Sequence, residues 1–316
     1  MAYSKKMRLY FVIILVAGWV ITLTLRQIFQ EQKLYHQTRV LMGTFFEVIS
    51  PDRRAGKIVF DEVDRLEQLL SKYKVDSEVS RLNRLGKITA SSDTFYIIKR
   101  AKEFTQKTNG AFDITVAPLM DLWGFTERNF SVPSEIKIKQ SLQLVGSDKI
   151  ILHENSNVIE FKLSGMKIDL GGIAKGYALD CAVEKLKANH INSCLINAGG
   201  QVFAMGRKFG SAWKIALRPP RSNQIKEYLR LSDKSVSTSG DYEQYFIKGN
   251  KRYAHILDPK TGSPADAKIL SVSVIADNAL TADALSTAIF VLGRDKSKDI
   301  IKAFPGLETR IYENDQ

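Results

Sequence analysis

Cysteine and histidine are scarce in this sequence, which contains two and four of them in 316 residues. Cys181 and Cys194 stand thirteen positions apart, so they form neither a CxxC redox pair nor a typical zinc-binding spacing. In an oxidising compartment they could form a disulfide. Because Cys181 falls in a helical pattern and Cys194 in an apolar strand pattern, we favour two small core residues.

Several motifs of large enzyme classes are also absent. There is no G-x-S-x-G elbow and no Walker loop, so serine hydrolases and nucleotide triphosphatases lose their usual sequence support. The formal net charge of +12 would suit a nucleic acid, an anionic membrane or a polyanionic ligand. Since the sequence has no arginine-rich run and no recognisable nucleic-acid module, we predict no nucleic-acid partner.

The N-terminus has the features of a membrane anchor. Residues 9–25 carry no charge and follow Lys5, Lys6 and Arg8. Such a run is at the short end of the roughly 17–25 residues that span a bilayer, and basic residues before it favour an N-terminus inside. No small-residue cleavage site follows it, and no nearby cysteine could accept a lipid. We therefore predict a cytoplasmic segment (1–8), a transmembrane signal anchor (9–25), a stalk (26–38) and a folded domain (39–316) on the periplasmic side of the inner membrane.

The pattern beyond the stalk predicts an α+β fold with largely antiparallel sheets and packed helices. A strand is predicted at 40–49, and helices at 55–73, at 92–108 after a cap formed by Ser91, Ser92 and Asp93, at 173–188 and at 280–291. Residues 111–125 are interrupted by Pro118 and Gly124 and are interpreted as a packed loop. Short strands are predicted around Ile150, Val158 and Met166, and at 193–197, 201–205, 213–217, 228–231, 235–238, 242–247, 253–257 and 270–276.

The segment 167–177 is the most informative part of the sequence. It places Asp169, paired glycines and Lys175 where an apolar strand meets a helix. Glycines allow close approach of the backbone to a ligand, and the N-terminus of a helix attracts anions. Asp169 could hold a divalent cation or a ligand hydroxyl, and Lys175 could neutralise a phosphate. A glycine pair before a helix is also common in simple tight turns, so this motif needs support from others.

Asp283 and Thr287 are a second candidate pair. Positions four apart share one face of a helix, so this carboxylate and hydroxyl could offer two hard oxygens to Mg²⁺. The alternative is that Asp283 only complements the helix dipole while Thr287 faces a neighbouring element.

His255 closes a predicted strand shortly before Asp258-Pro259. A histidine at this place could serve as a general base, with Asp258 as its orienting partner. A structural histidine at a strand end is an equally good interpretation of the pattern.

Taken together, these motifs resemble the ApbE family of flavin transferases over about residues 40–292. The matching segments occur in order: Leu41–Thr44, Ser71–Tyr73 together with Asp76–Asn83, Gly110–Thr115, Asp169–Tyr177, Asn197–Gly200, Ser237–Tyr242, His255–Pro259 and Asp283–Thr287. Each motif is modest by itself, but eight in register are highly specific.

The resemblance implies a T-fold-like α+β body that binds FAD between two lobes. The positions where the family contacts FAD correspond here to Met42, Tyr73, Ala111, Phe112, Asp113, Asp169, Lys175 and Leu257. The positions that hold Mg²⁺ correspond to the carbonyl of Gly172, Asp283 and Thr287, and His255 matches a histidine linked to catalysis.

The implied activity is Mg²⁺-dependent transfer of FMN from FAD to a threonine or serine hydroxyl of a partner flavoprotein, with release of AMP. The partner is often a subunit of a membrane redox complex. Two alternatives remain open at this point: a Mg²⁺-dependent FAD pyrophosphatase, and a non-catalytic periplasmic flavin-binding protein. Many members of the family are lipoproteins, whereas here a transmembrane anchor would take the place of the lipid.

Overall fold

A computed structural model describes residues 7, 10, 15–19, 33–222, 224–265 and 268–314. The chain divides into two compact units, Met1–Leu34 and Tyr35–Gln316. In the first unit residues 15–19 are helical, and most of the predicted anchor lies outside the described residues. Among the residues that are described, no helix is long and apolar enough to cross a membrane.

The strands of the second unit are named in chain order, and half of those described belong to one antiparallel sheet. They are β1 (Tyr35–Leu41), β2 (Thr44–Ser50), β3 (Lys87–Thr89), β4 (Ile150–His153), β5 (Val158–Phe161), β6 (Cys194–Ala198), β7 (Gln201–Met205), β8 (Trp213–Leu217), β9 (Glu227–Leu231), β10 (Lys234–Gly240), β11 (Tyr245–Lys248), β12 (Lys251–Ala254), β13 (Ile269–Ala276) and β14 (Glu308–Glu313). In the described part of the chain the main sheet has seven strands in the order β1-β2-β6-β7-β10-β13-β14. The smaller sheets are β3-β5-β4, β8-β9 and β11-β12.

The helices of the second unit are also named in chain order, and some of them lie against strands of the main sheet. They are α1 (Ala55–Leu70), α2 (Glu78–Leu85), α3 (Ser92–Lys107), α4 (Ala117–Leu122), α5 (Glu135–Leu142), α6 (Ala174–Ala188), α7 (Ala279–Lys296) and α8 (Lys298–Ala303). Helix α1 contacts β1, β2 and α6, while α7 lies against α6, β10 and β13. The α+β fold with antiparallel sheets predicted from the sequence is therefore confirmed.

Helix α7 is buried on almost every side. Its apolar positions include Leu280, Leu285, Ile289 and Phe290, each at most 4% exposed. Asp283 lies on this part of the helix and is only 4% exposed, so its carboxylate requires polar partners.

The predicted strand at 40–49 is wrong in one respect, because the structure folds it into a hairpin. Strands β1 and β2 pair in antiparallel register, with Leu41 opposite Thr44. Met42 and Gly43 form the turn, with φ angles of 47° and 73°. Strand β1 begins at Tyr35, within the segment that the sequence assigned to the stalk. A methionine in the left-handed region is unusual, so the sequence carried no clear turn signal here.

The packed loop predicted at 111–125 is also wrong. Residues Ile114–Val116 form a 3₁₀ turn, and α4 follows directly with Pro118 in its first turn. Proline is well tolerated there because the first N–H groups of a helix have no partner within the helix. Met166, predicted to be near a strand, lies outside the named strands.

The two cysteines are not bonded to each other. Both Cys181 and Cys194 are free thiols, Cys194 being fully buried and Cys181 partly so. Burial raises the pKa of the Cys194 thiol to about 12. The preference for two small packed residues is confirmed.

Candidate functional site

Eleven of the twelve predicted site residues line one cavity. It has a volume of about 280 Å³ and lies beside the start of α6, the first turns of α7 and the inner face of β10. The predicted residues that line it are Tyr73, Ala111, Phe112, Asp113, Asp169, Gly172, Lys175, His255, Leu257, Asp283 and Thr287. Tertiary folding thus brings together segments that are separated by more than 200 positions in the sequence.

Met42, the twelfth residue, lines a second cavity of about 490 Å³. Tyr73, Asp169, Gly171 and Lys175 line both cavities, so the two adjoin. The turn between β1 and β2 therefore contributes to the wall of a cavity that lies next to the first.

Asp283 projects from α7 and is held in place by two hydrogen bonds. Its Oδ2 accepts from the backbone N–H of Gly176 at 3.0 Å, and its Oδ1 accepts from the Ser237 hydroxyl at 3.3 Å. Burial raises the pKa of Asp283, an effect opposed by the charge of Lys175 and by the Gly176 and Ser237 hydrogen bonds. A cation beside this carboxylate would favour its charged form.

Thr287 and Gly172 lie next to Asp283. Thr287 is one turn further along α7, and its hydroxyl is 3.4 Å from the main-chain oxygen of Asp283. A Cβ atom placed on Gly172 would lie 3.1 Å from Thr287 Oγ1. The three predicted metal positions therefore converge, and their donor set of carboxylate, hydroxyl and carbonyl suits a hard cation such as Mg²⁺.

Other kinds of metal site are not found among the described residues. No group of three or more His, Cys, Asp and Glu side chains there is arranged to hold a metal ion. The set around Asp283 contains a single carboxylate. Mg²⁺ commonly binds to one or two carboxylates and takes its other ligands from water and substrate phosphates.

Hydroxyl groups, two of them from the Ser237–Tyr242 motif, surround Asp283, an arrangement that the sequence analysis did not predict. Ser237 and Ser239 occupy one face of β10, because side chains alternate along a strand. Ser239 Oγ is 2.8 Å from Ser286 Oγ, and the Ser286 hydroxyl donates to the main-chain oxygen of Asp283 at 2.9 Å. The alternating serines at 235, 237 and 239 were the only hint of this network in the sequence. That they are buried together around Asp283 is evident only from the tertiary structure.

Asp169 forms an ion pair that the sequence analysis also missed. Its Oδ2 is 2.8 Å from Lys72 Nζ, and the two side chains are 17% and 8% exposed. Burial disfavours the charged form of Lys72, but the Asp169 carboxylate more than compensates and raises its pKa. Asp169 Oδ1 accepts from the N–H of Gly171 at 2.9 Å. Lys72 belongs to the Ser71–Tyr73 motif, but nothing in the sequence distinguished it from an exposed surface lysine.

Lys175 occupies the second position of α6 and faces both cavities. Its charge lowers the pKa of Asp283 and that of His255, so it acts on both sides of the first cavity. A cation at the N-terminus of a helix strengthens the local attraction for an anion.

His255 is oriented by a backbone carbonyl. The backbone N–H of His255 donates to the main-chain oxygen of Gln244 at 3.0 Å, and the ring atom Nδ1 lies 3.1 Å from the same oxygen. A carbonyl oxygen only accepts, so Nδ1 carries the ring proton and Nε2 keeps a free lone pair. Burial lowers the pKa of His255 to about 4, the Gln244 hydrogen bond opposes this, and the charge of Lys175 adds to it.

The predicted orienting role of Asp258 is wrong. Asp258 Oδ1 accepts from the N–H of Lys260 at 2.8 Å, which stabilises the turn after Leu257. The His255 ring uses Gln244 instead. Sequence proximity favoured the acid, whereas the fold places a carbonyl from a neighbouring turn against the imidazole.

The remaining predicted residues shape the walls of the two cavities. Ala111 and Phe112 are 3% exposed and Leu257 is 5% exposed, whereas Tyr73 is 68% exposed at the rim. Asp113 uses Oδ1 to accept from the Thr115 N–H and hydroxyl, and Oδ2 to accept from the Ser147 N–H. The carboxylate of Asp113 therefore stabilises the cavity wall.

Fold and site together define a class: an α+β protein whose ligand cavity combines helix N-termini, a lysine, a buried carboxylate and a neutral histidine. The sequence model of the ApbE family matches residues 42–311. The chain belongs to the ApbE family, as its sequence motifs predicted.

Individual relatives agree with this assignment. The FAD:protein FMN transferase of Klebsiella pneumoniae is 33% identical over 273 residues, which cover 84% of this chain and 85% of the relative. That of Haemophilus influenzae is 35% identical over 243 residues, covering 73% and 70%.

Solved structures of the family have the same fold. The ApbE protein of Thermotoga maritima is similar with a TM-score of 0.82 at 35% identity, covering 88% of this chain and 94% of that one. The apo form of the flavinyl transferase ApbE of Pseudomonas stutzeri has a TM-score of 0.81 at 31% identity, with 90% and 92% covered.

Proposed function

We propose that the chain is a FAD:protein FMN transferase that moves FMN from FAD to a threonine or serine hydroxyl of a partner flavoprotein. The observation that supports this most directly is the convergence of Asp283, Thr287, Gly172, Lys175 and His255 on one cavity. The relatives named FAD:protein FMN transferase support the identity of both substrates.

The proposed reaction is an in-line displacement at the FMN-side phosphorus of FAD. The acceptor hydroxyl oxygen forms a new P–O bond, and the bond from that phosphorus to the bridging oxygen breaks. AMP leaves with the bridging oxygen, and the hydroxyl proton passes to a base. Such transfers depend mainly on positioning and on neutralisation of phosphate charge.

We assign the base to His255. The free lone pair on Nε2 gives it the correct tautomer, and its lowered pKa keeps it neutral before substrates bind. The negative charge of a bound pyrophosphate would raise this pKa and make the imidazole a stronger base. Positioned proton transfer of this kind contributes about 10²–10⁴-fold in rate.

Asp283, Thr287 and the Gly172 carbonyl are the residues that would hold Mg²⁺. When bound there, Mg²⁺ supplies Lewis-acid neutralisation of the pyrophosphate. Lys175 adds a second positive charge at the start of α6, where it faces both cavities. Ser237 and the Gly176 N–H keep the Asp283 carboxylate aimed into the site.

The two adjoining cavities offer room for a long substrate. We propose that FAD extends across both, with its pyrophosphate near Lys175 and its ring systems against Phe112, Tyr73 and Met42. Aromatic and sulfur-containing side chains pack well against planar heterocycles.

The decisive experiment combines the full chain in detergent with FAD, Mg²⁺ and a periplasmic flavoprotein domain that carries a threonine acceptor motif. Intact mass spectrometry should show the acceptor gaining one FMN. The gain should disappear with a chelator or in Asp283→Asn, and persist in the surface control Lys187→Gln. An unmodified acceptor with accumulating AMP and FMN would favour FAD pyrophosphatase activity. Tight FAD binding without turnover would favour a flavin-binding protein.

The cellular location is part of the same proposal. We propose that residues 9–25 anchor the protein in the inner membrane and that the catalytic domain faces the periplasm, where it meets an acceptor subunit of a membrane redox complex. The uncharged run and the basic residues before it support this topology. Protease added to intact spheroplasts should degrade the catalytic domain, and protection from protease would contradict the topology.

A further inference from the structure

Asp180 of α6 reaches across to the first turn of α7. Its Oδ1 accepts from the backbone N–H of Ala279 at 2.7 Å, and its Oδ2 accepts from that of Leu280 at 2.9 Å. These are the first two residues of α7, whose N–H groups have no partner within the helix. One carboxylate therefore binds both amides and complements the positive end of the helix dipole.

The same side of α6 makes two further contacts with α7. Gly176 lies four positions before Asp180, so both share one face of the helix. A Cβ atom on Gly176 would lie 2.5 Å from Ala279 O, so the two backbones approach more closely than any side chain would permit. The Gly176 N–H also donates to Asp283 Oδ2 at 3.0 Å.

This junction lies between the two sources of the proposed cation ligands. Gly172 precedes α6, whereas Asp283 and Thr287 belong to α7, and Asp283 follows Ala279 by one helical turn. A small shift of one helix along the other would change the distances among these three oxygen donors. Cations that require near-octahedral geometry, such as Mg²⁺, bind less tightly when these distances change.

We propose that Asp180 is a positioning residue that fixes α7 against α6 and thereby sets the geometry of the cation site. This inference rests on the proposed function of that site. Asp180 touches none of the proposed ligands, and it acts through the backbone of the helix that carries two of them.

A second cap on α7 provides a matched comparison. Asn278 Oδ1 accepts from the N–H of Thr281 at 2.8 Å, which also satisfies a free amide of the first turn. Asn278 adjoins α7 in the sequence, so this hydrogen bond stabilises the end of the helix without connecting it to α6. Loss of either cap should lower stability, but only loss of Asp180 should loosen the junction between the helices.

The test measures Mn²⁺ binding directly, by electron paramagnetic resonance on the full chain in detergent, with Mn²⁺ as the probe. Asp180→Ala should weaken Mn²⁺ binding about tenfold, as is typical when residues that orient metal ligands are removed. Asn278→Ala should bind Mn²⁺ like the wild type, although its melting temperature also falls. Exposed Glu184 on α6 offers a further control, Glu184→Gln, with unchanged binding.

Transferase kinetics separate positioning from general loss of structure. In Asp180→Ala the KM for Mg²⁺ should rise while kcat at saturating Mg²⁺ is largely retained. If this variant does not fold, Asp180→Asn keeps one acceptor oxygen and should show an intermediate loss of Mn²⁺ affinity, and wild-type affinity in it would overturn the proposal. Equal Mn²⁺ affinities in Asp180→Ala and Asn278→Ala would overturn it as well.

Asp283→Ala distinguishes this inference from the function on which it rests. Abolished Mn²⁺ binding in Asp283→Ala, together with unchanged binding in Asp180→Ala, would reject the positioning role and leave the cation site intact. Retained binding in Asp283→Ala would reject the site and the positioning role together.

Discussion

The tautomer of His255 follows from a single contact, because the Gln244 carbonyl accepts the Nδ1 proton and leaves Nε2 as the base. Only the neutral ring can take a proton from the acceptor hydroxyl. With a pKa near 4, the ring stays neutral as pH falls through its ordinary range around 6.5. We expect kcat/KM for FAD to stay flat through that range and to fall only as the pH approaches about 4, since kcat/KM reports the free enzyme.

Lys175 tunes this behaviour because its positive charge lowers the pKa of His255. In Lys175→Gln the acid limb of kcat/KM should move to higher pH, in addition to any loss of FAD affinity. The exposed Lys187→Gln on the same helix is the control and should leave the limb in place. An unmoved limb in Lys175→Gln, or wild-type activity in His255→Gln, would show that another group is the base.

Lys72 neutralises Asp169 inside the space proposed for FAD. In Lys72→Met the carboxylate would face the anionic pyrophosphate without its partner, and we expect FAD affinity to fall about tenfold, or about 1.4 kcal/mol. Fluorescence quenching of FAD measures this. Lys87→Met removes an equal charge from an exposed ion pair with Glu160 and should change FAD affinity little. Similar affinities in the two variants would mean that Lys72 has no role in the site.

At the scale of elements, the α6–α7 junction depends on the absence of a side chain at Gly176. The helical conformation at this position suits alanine, so the only obstacle is the contact with Ala279 O and Leu280 Cα. We expect Gly176→Ala to lower the free energy of unfolding by about 1–3 kcal/mol, the usual cost of overpacking a core. Denaturant unfolding measures this, and the surface substitution Lys187→Ala on the same helix is the control. An equal or higher stability of Gly176→Ala would show that the helices can separate without cost.

Some elements could be predicted from their local sequence and others could not. Ser91 caps α3 through the Thr94 N–H, and Gly199 and Gly200 form the β6–β7 turn with φ angles of 60° and 97°. The cap was predicted, and so were the strands on either side of this turn, because caps and glycine turns are local interactions. Helices α2 and α5 are eight residues each and were missed, since a short helix shows too few turns for an apolar stripe to emerge.

At the scale of the whole molecule, the site joins α6, α7 and the centre of the main sheet, so ligand binding is linked to global stability. We expect FAD with Mg²⁺ to raise the melting temperature, because a ligand at a hundred times its Kd adds about 2.7 kcal/mol. A chelator or the substitution Asp283→Asn should remove the part of the increase in melting temperature that depends on Mg²⁺. Differential scanning fluorimetry measures the shift, and an equal shift with and without Mg²⁺ would contradict the proposed cation site.

The sequence by itself determined the family, the α+β class and the residues that line the site. These depend on features that are local in the chain: the glycine pair before α6, the Asp283–Thr287 spacing on α7, and an alternating strand pattern such as that of β8. Eleven predicted residues line the first cavity and Met42 lines the second. Their individual roles remain predictions that the variants above test.

Only the tertiary structure decided which groups act on one another. Gln244 rather than Asp258 orients His255, Lys72 pairs with Asp169, and Asp180 caps a helix that begins 99 residues later. The β1–β2 turn at Met42 and the helix α4 that includes Pro118 likewise became evident only in the structure. The reason is physical: hydrogen bonds and ion pairs act over a few ångströms in space, and a sequence read without its fold does not contain the distances between segments far apart in the chain.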